Sequence, residues 1–309
     1  MQIFEYSPGN SVVGDGYVVA LGFFDGVHAA HRALINTAKS IAEKKGLPLA
    51  VFTFVAEDEK LKSGDRIYGT EDKLEIFASL GVDLVILSRF ASVSDLSAEE
   101  FIHSSLLTDM KCRVAVAGFD YRFGKGATGN VQLLKSHLEG AGAEFVMENE
   151  HKIDGEKIST TKIKTLLRSG EIEEATRYLG APYFIKTEVT RGDGRGKNLG
   201  FPTLNSDKEP PLKRGVYRTA VEISGRAYHA ITNVGTCPTF GERAVHVETY
   251  VIGFSGDLYG QNIRTHFLGF LRDEKAFSGA DELKEQLNLD QERAVRENGD
   301  LKWLEIGQS

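Results

Sequence analysis

Two histidines three residues apart, His28 and His31, follow the turn Gly22-Phe23-Phe24-Asp25-Gly26-Val27, just where a helical pattern begins. At that spacing both rings can face one anion beside free backbone N–H groups and the positive end of a helix dipole, which suits a phosphate. An ordinary strand–turn–helix with two incidental histidines would read the same way. Gly118-Phe119-Asp120-Tyr121-Arg122-Phe123-Gly124-Lys125-Gly126 combines rings for stacking, a carboxylate, a guanidinium for phosphate and glycines for close approach. It suits a planar phosphorylated ligand, though a glycine-rich surface loop has a similar composition. Ile158-Ser159-Thr160-Thr161-Lys162-Ile163-Lys164 sets hydroxyls and cations at the start of an amphipathic helix, with Ser159 as its N-cap. Gly192, Gly194 and Gly196 lie beside Arg191, Arg195 and Lys197, a phosphate-nest composition that lacks the Gly-Lys-Ser/Thr of a Walker loop. Glu248 stands alone in a strand pattern, with Val247 and Thr249 on the opposite face.

The elements that must position these groups change character along the chain. Apolar β-rich runs at Tyr17–Leu21, Leu49–Phe54, Asp83–Leu87, Cys112–Ala117 and Glu144–Met147 predict strands. Between them, helical spacing covers 32–45, 71–80, 98–107 and 131–140, with another short helix over 171–179. Alternation of this kind predicts a doubly wound parallel α/β sheet, with ligands beyond the carboxyl ends of its strands. After Gly180-Ala181-Pro182 the pattern becomes consecutive strands, over 183–189, 215–223, 227–233, 246–253 and 262–271, with a last helix over 281–297. That order predicts an antiparallel β-barrel with a terminal helix. Two domains are expected, 1–181 and 182–309.

The totals agree with two ordinary domains in 309 residues. A formal charge of −7 argues against a general nucleic-acid binder. Cys112 and Cys237 are too few for a disulfide framework or a thiolate metal site. No stretch reads as a signal peptide or membrane span, so a cytoplasmic protein without membrane contact is expected.

The segment Gly22 to His31 resembles the Gly-x-Phe-Asp-Gly-Val-His-x-Gly-His signature of bacterial bifunctional riboflavin kinase/FAD synthetases. The resemblance runs along nearly the whole chain, through Ile158–Lys164 and through Gly192–Asn205, which is similar to the kinase motif Gly-x-Gly-Arg-Gly-x-x-Leu-Gly-Phe-Pro-Thr-Ala-Asn. It implies a nucleotidyltransferase domain followed by a riboflavin kinase domain, converting riboflavin to FMN and FMN to FAD with ATP and magnesium. In the first half it implies catalytic roles for His28 and His31. Gly22, Phe23, Asp25, Ser159, Thr160, Lys162 and Lys164 would bind nucleotide, and Phe54, Asp120 and Arg122 flavin. In the second half it implies Gly192, Arg195 and Lys197 on nucleotide, Thr203 and Asn205 on the metal, Arg272 on flavin, and Glu248 as the catalytic carboxylate. Departures are visible. Ala30 replaces the helix-start glycine, Phe54-Val55-Ala56-Glu57 stands where the family has a Pro-His-Pro segment, and Ala127, Lys162 and Lys164 replace arginines. Tyr250 stands where a histidine is common. Rival readings are an enzyme with only one working domain and a flavin sensor without turnover. Oligomeric state stays open.

Overall fold

The computed structural model describes residues 1–56, 66–190, 203–206, 210–236 and 245–305. The chain divides into two compact units, Met1–Thr160 and Thr161–Ser309. The nucleotide-binding expectations at Gly192, Arg195 and Lys197 lie outside the described residues, as does the side chain of Thr203.

The first unit is a six-stranded parallel sheet, ordered β1-β4-β3-β2-β5-β6. Its strands are β1 (Gln2–Tyr6), β2 (Tyr17–Leu21), β3 (Leu49–Phe54), β4 (Leu84–Ser88), β5 (Cys112–Gly118) and β6 (Glu144–Glu148). Every residue of β2 is buried, as a central strand covered on both faces requires. Helices α1 (Ala29–Lys45), α2 (Thr70–Ser79), α3 (Phe90–Val93) and α5 (Val131–Gly140) lie in the crossovers, and the short strands β7 (Lys152–Ile153) and β8 (Glu156–Lys157) pair with each other after β6. From β2 the order steps one way to β3 and β4 and the other way to β5 and β6, so the topological switch falls between β2 and β5. The carboxyl ends of those two strands are where a doubly wound sheet opens a ligand crevice. Over 98–107 the structure differs from a plain α-helix. Only α4 (Ala98–Glu100) is α-helical, with a Ser97/Glu100 capping box, and Phe101–Asp109 continues as a π-helix.

The second unit carries α6 (Thr160–Ser169, its body from Thr161), α7 (Ile172–Leu179) and a six-stranded antiparallel sheet, ordered β10-β13-β12-β11-β14-β9. These strands are β9 (Phe184–Glu188), β10 (Thr203–Ser206), β11 (Gly215–Ile223), β12 (Arg226–Thr236), β13 (Val245–Val251) and β14 (Asn262–Arg272). Thr190, just past β9, forms a bridge to Asn205 of β10, so the two edges of the sheet meet and curl it toward a barrel. A hydroxyl ladder, Thr219–Thr232–Thr249, crosses β11, β12 and β13 at 2.9 Å per step, buried throughout. Each rung satisfies a polar group that would otherwise cost about 1–3 kcal/mol to bury, and a slip in register would break both rungs. The C-terminal helix Ala280–Asn298 packs on β11, β12 and β14. Among the described residues no helix is long and apolar enough to cross a membrane.

Candidate active sites

In the first unit the site is built on a turn that few sequences tolerate. Phe24 (φ 53°), Gly26 (φ 77°) and Val27 (φ 38°) all have left-handed backbone. Only the glycine adopts that without cost, and a β-branched residue there is an outlier of the kind found where function fixes the backbone. Asp25 is buried, and its carboxylate braces the turn. It accepts the Ile67 N–H at 3.1 Å and faces Arg66 at 3.9 Å. Phe24 is fully buried and packs edge-on against His31 (5.1 Å) and Phe77 (5.7 Å).

The turn delivers His28 to the N-cap of α1, where its Nδ1 accepts the His31 backbone N–H at 3.3 Å. That bond places the proton of the neutral ring on Nε2. His28 and His31 stack face to face, 3.5 Å between centroids and 11° between planes. Burial lowers the His28 pKa to about 4, aided by the charge of Lys157. Burial also pushes His31 well below the usual histidine range, aided by His28 and Lys73. The pair is therefore uncharged near neutral pH, and His31 Nδ1 is buried without a hydrogen-bond partner among the described residues.

Two chambers open around the pair. The larger, about 630 Å³, is lined by Phe23, Phe54, Phe90, Phe101, Tyr121 and Phe123, with Arg122 and Asp120 on its wall. Phe23 and Phe54 stack at 6.1 Å and 26°. Its size and aromatic lining suit a planar ligand of drug-like dimensions. The smaller, about 250 Å³, is bounded by His28, Ala30, Glu148, His151, Lys157, Ser159 and Thr160. His31, Leu34, Gly118 and Asp120 line both chambers, so the two share a wall. Asp120 is held at 2.7 Å by Lys157.

The structure thus brings together Gly22, Phe23, His28, His31, Phe54, Asp120, Arg122, Ser159 and Thr160 around adjoining spaces. Phe23, expected at nucleotide, lies in the larger chamber against Phe54. Asp25 lines neither chamber. Lys162 and Lys164 lie on α6, in the second unit. Sequence reasoning passed over Phe90, Lys157, Glu148 and His151. Their signal was weak, since each is of a type ordinary on a surface or in a core.

In the second unit, Glu248 on β13 is exposed between two asparagines. It pairs directly with Asn205 of β10 on one side and Asn233 of β12 on the other. Directly opposed residues share a face of the sheet, with Cβ atoms about 5 Å apart. A carboxylate flanked by two carboxamides can accept from a hydroxyl while neutral oxygens remain for a hard cation. Val247 and Thr249 are buried on the other face, as alternation requires. Asn233 carries no role readable from sequence; its link to Glu248 is a matter of register. Arg272 is gripped by Asp290 of the C-terminal helix, with Nε 3.0 Å and Nη2 2.7 Å from Oδ2, so a flavin contact there would involve an arginine already fixed in place.

A nucleotide-type crevice at a sheet switch point is joined in one chain to a curled antiparallel sheet that sets an exposed glutamate between two asparagines. The family model described as FAD synthetase matches residues 12–162, and that described as riboflavin kinase matches 179–297. The bifunctional riboflavin kinase/FMN adenylyltransferase of Bacillus subtilis is 37% identical over 295 residues, covering 90% of this chain and 92% of that protein. The Escherichia coli K12 protein of the same description is 32% identical over 291 residues, covering 90% and 91%. A crystal structure described as a macrolide-efflux protein from Streptococcus pneumoniae superposes with a TM-score of 0.85 at 28% identity, covering 95% of this chain and 99% of that one. The chain belongs to the bifunctional riboflavin kinase/FMN adenylyltransferase family.

Proposed function

We propose that the chain makes FAD from riboflavin in two steps, one in each unit, by direct transfer without a covalent enzyme intermediate. The observation that carries the reading for the first unit is the shared wall of its two chambers. A flavin in the aromatic chamber and a nucleotide in the polar one would meet at His31 and Asp120.

In the first unit, FMN lies against Phe54 and Phe23, with Arg122 and Asp120 at its polar end. Its phosphate attacks the α-phosphate of ATP, and pyrophosphate leaves. His28, tied through Nδ1 to its own helix, presents Nε2–H, and the first amides of α1 add donors without the desolvation cost of a buried cation. Ser159 and Thr160 extend this donor set. Holding two phosphorylated reactants in line accounts for much of such a rate enhancement.

In the second unit, Glu248 accepts the proton of the terminal ribityl hydroxyl of riboflavin as that oxygen attacks the γ-phosphate of ATP. Asn205 and Asn233 orient the carboxylate from either side. Gly192, Arg195 and Lys197 are the residues the reading gives to the triphosphate. Among the described residues no three His, Cys, Asp or Glu side chains group as a metal cage. Thr203 and Asn205 are the residues that would hold magnesium, whose demand for phosphate and water oxygens fits a neutral donor set. That ion would offset charge on the transferred phosphoryl group. The reading places the protein in the cytoplasm, acting on free flavins.

Two variants test the division of labour. Glu248→Gln should lower FMN formation by roughly 10²–10⁴-fold and leave conversion of supplied FMN to FAD intact. His31→Ala should do the reverse in a folded protein. Equal loss of both activities in either variant would overturn the assignment.

A further inference from the structure

One charged group lies buried behind the first site. Lys73, on α2, is 1% exposed. Its ammonium donates to the Phe23 carbonyl at 3.0 Å, to Thr53 Oγ1 at 3.1 Å and to the Phe54 carbonyl at 3.1 Å. Three acceptors thus converge on a group that carries three N–H donors. Thr53 Oγ1, itself buried, donates in turn to the Phe23 carbonyl at 2.9 Å. The two carbonyls belong to the exit turn of β2 and the last residue of β3, the segments that carry the stacked Phe23 and Phe54 rings of the large chamber. Lys73 Nζ also lies 5.2 Å from the centroid of the Phe23 ring. Burying an ammonium is expensive unless it is fully hydrogen-bonded, and a methionine of similar length would fill the space without that cost. The geometry of the turn calls for a group with three donors there.

The consequence reaches the peptide between Phe23 and Phe24. In a trans peptide the N–H points opposite to the C=O. With the Phe23 carbonyl held inward by Lys73 and Thr53, the Phe24 N–H is turned the other way, and it has no acceptor among the described residues.

We propose that Lys73 is a positioning residue for the flavin side of adenylyl transfer, fixing the Phe23–Phe54 pair and the Phe23–Phe24 peptide in the orientation that receives FMN. This inference rests on the first unit's being the FMN adenylyltransferase. Lys73 touches neither reactant; it acts through the turn, as a rigid support behind residues that do. Misplacing such residues by an ångström costs on the order of 10²-fold in a well-aligned site.

The test is steady-state FAD formation from FMN and ATP by the full-length protein and its Lys73→Met variant, with riboflavin phosphorylation followed in the same preparations. The expected result is a KM for FMN raised roughly 10- to 100-fold, with the KM for ATP and the kinase activity close to wild type. Loss of folded protein alone would lower kcat without raising the KM for FMN selectively. An unchanged KM for FMN, or an equal rise in both KM values, would overturn the proposal. If Lys73→Met does not fold, Thr53→Val decides, because it removes one leg of the same support. It should shift the KM for FMN in the same direction by a smaller factor, and a wild-type KM would overturn the proposal. A wild-type protein that makes no FAD from FMN would instead overturn the reading of the unit.

Discussion

Acidification should destabilise the first unit through His28, and the size of the effect follows from the pKa shift that burial imposes. The folded-state pKa of His28 is about 4, set by burial first and by the charge of Lys157; the unfolded value is about 6.5. A histidine depressed in this way binds its proton more readily when unfolded, so its contribution favours the folded state above about pH 6.5 and is lost as pH falls toward 4. The gap corresponds to a ceiling of about 3.4 kcal/mol, of which about 2.5 is lost by about pH 4.5. His31 shifts in the same direction, so the two rings reinforce each other. Protonating His28 on Nδ1 also removes the acceptor that caps α1. His28→Asn keeps an N-cap acceptor but cannot titrate. Urea unfolding followed by circular dichroism, at pH values stepped from about 7 to about 4.5, should show the wild type losing about 2–3 kcal/mol more than the variant. Parallel pH profiles for the two proteins would refute the burial argument and with it the neutral state assigned to the pair.

Two further outcomes are expected. Ala30 borders the smaller chamber where the family motif has glycine, so Ala30→Gly should lower the KM for ATP in FAD formation or leave it unchanged, despite costing about 0.5–1 kcal/mol of helix stability; a raised KM in a stable variant would remove nucleotide from that helix start. We also expect each unit to hold its own core, and a fragment from Pro182 should phosphorylate riboflavin. A fragment from Thr161 should be the more stable, because it keeps the 2.7 Å Glu173–Arg218 pair and the Leu167 carbonyl that accepts from the Lys213 N–H; equal thermal melts of the two fragments would show that α6 and α7 add nothing.

Much of this architecture was legible from residue types. Tyr17–Leu21 and Val131–Gly140 were placed without error, because a wholly apolar run and a clean helical stripe leave little choice. The barrel strand over 215–223 was bounded as closely. Gln2–Tyr6 escaped notice because it is an edge strand paired on one side, with mostly exposed, half-polar residues. The π-helix over Phe101–Asp109 was hidden because its apolar residues fit α-helical spacing over so short a span. At the sites, the His28/His31 spacing was readable, but the face-to-face stacking and the neutral state depend on the left-handed turn at Phe24–Val27. Glu248 was readable as a lone strand carboxylate, whereas its two asparagine neighbours depend on strand register. Lys73 could not be found by pattern, since a lysine in the first turns of a helix usually points into water.

The central claim is that one chain carries both transfers. The most direct measurement is a single incubation of the full-length protein with riboflavin, ATP and magnesium, the flavins being separated by chromatography over time. The account predicts FMN first and FAD after it, with supplied FMN converted to FAD in a parallel reaction. FMN accumulating without FAD would contradict the role given to His28 and His31, and unchanged riboflavin would contradict the role given to Glu248.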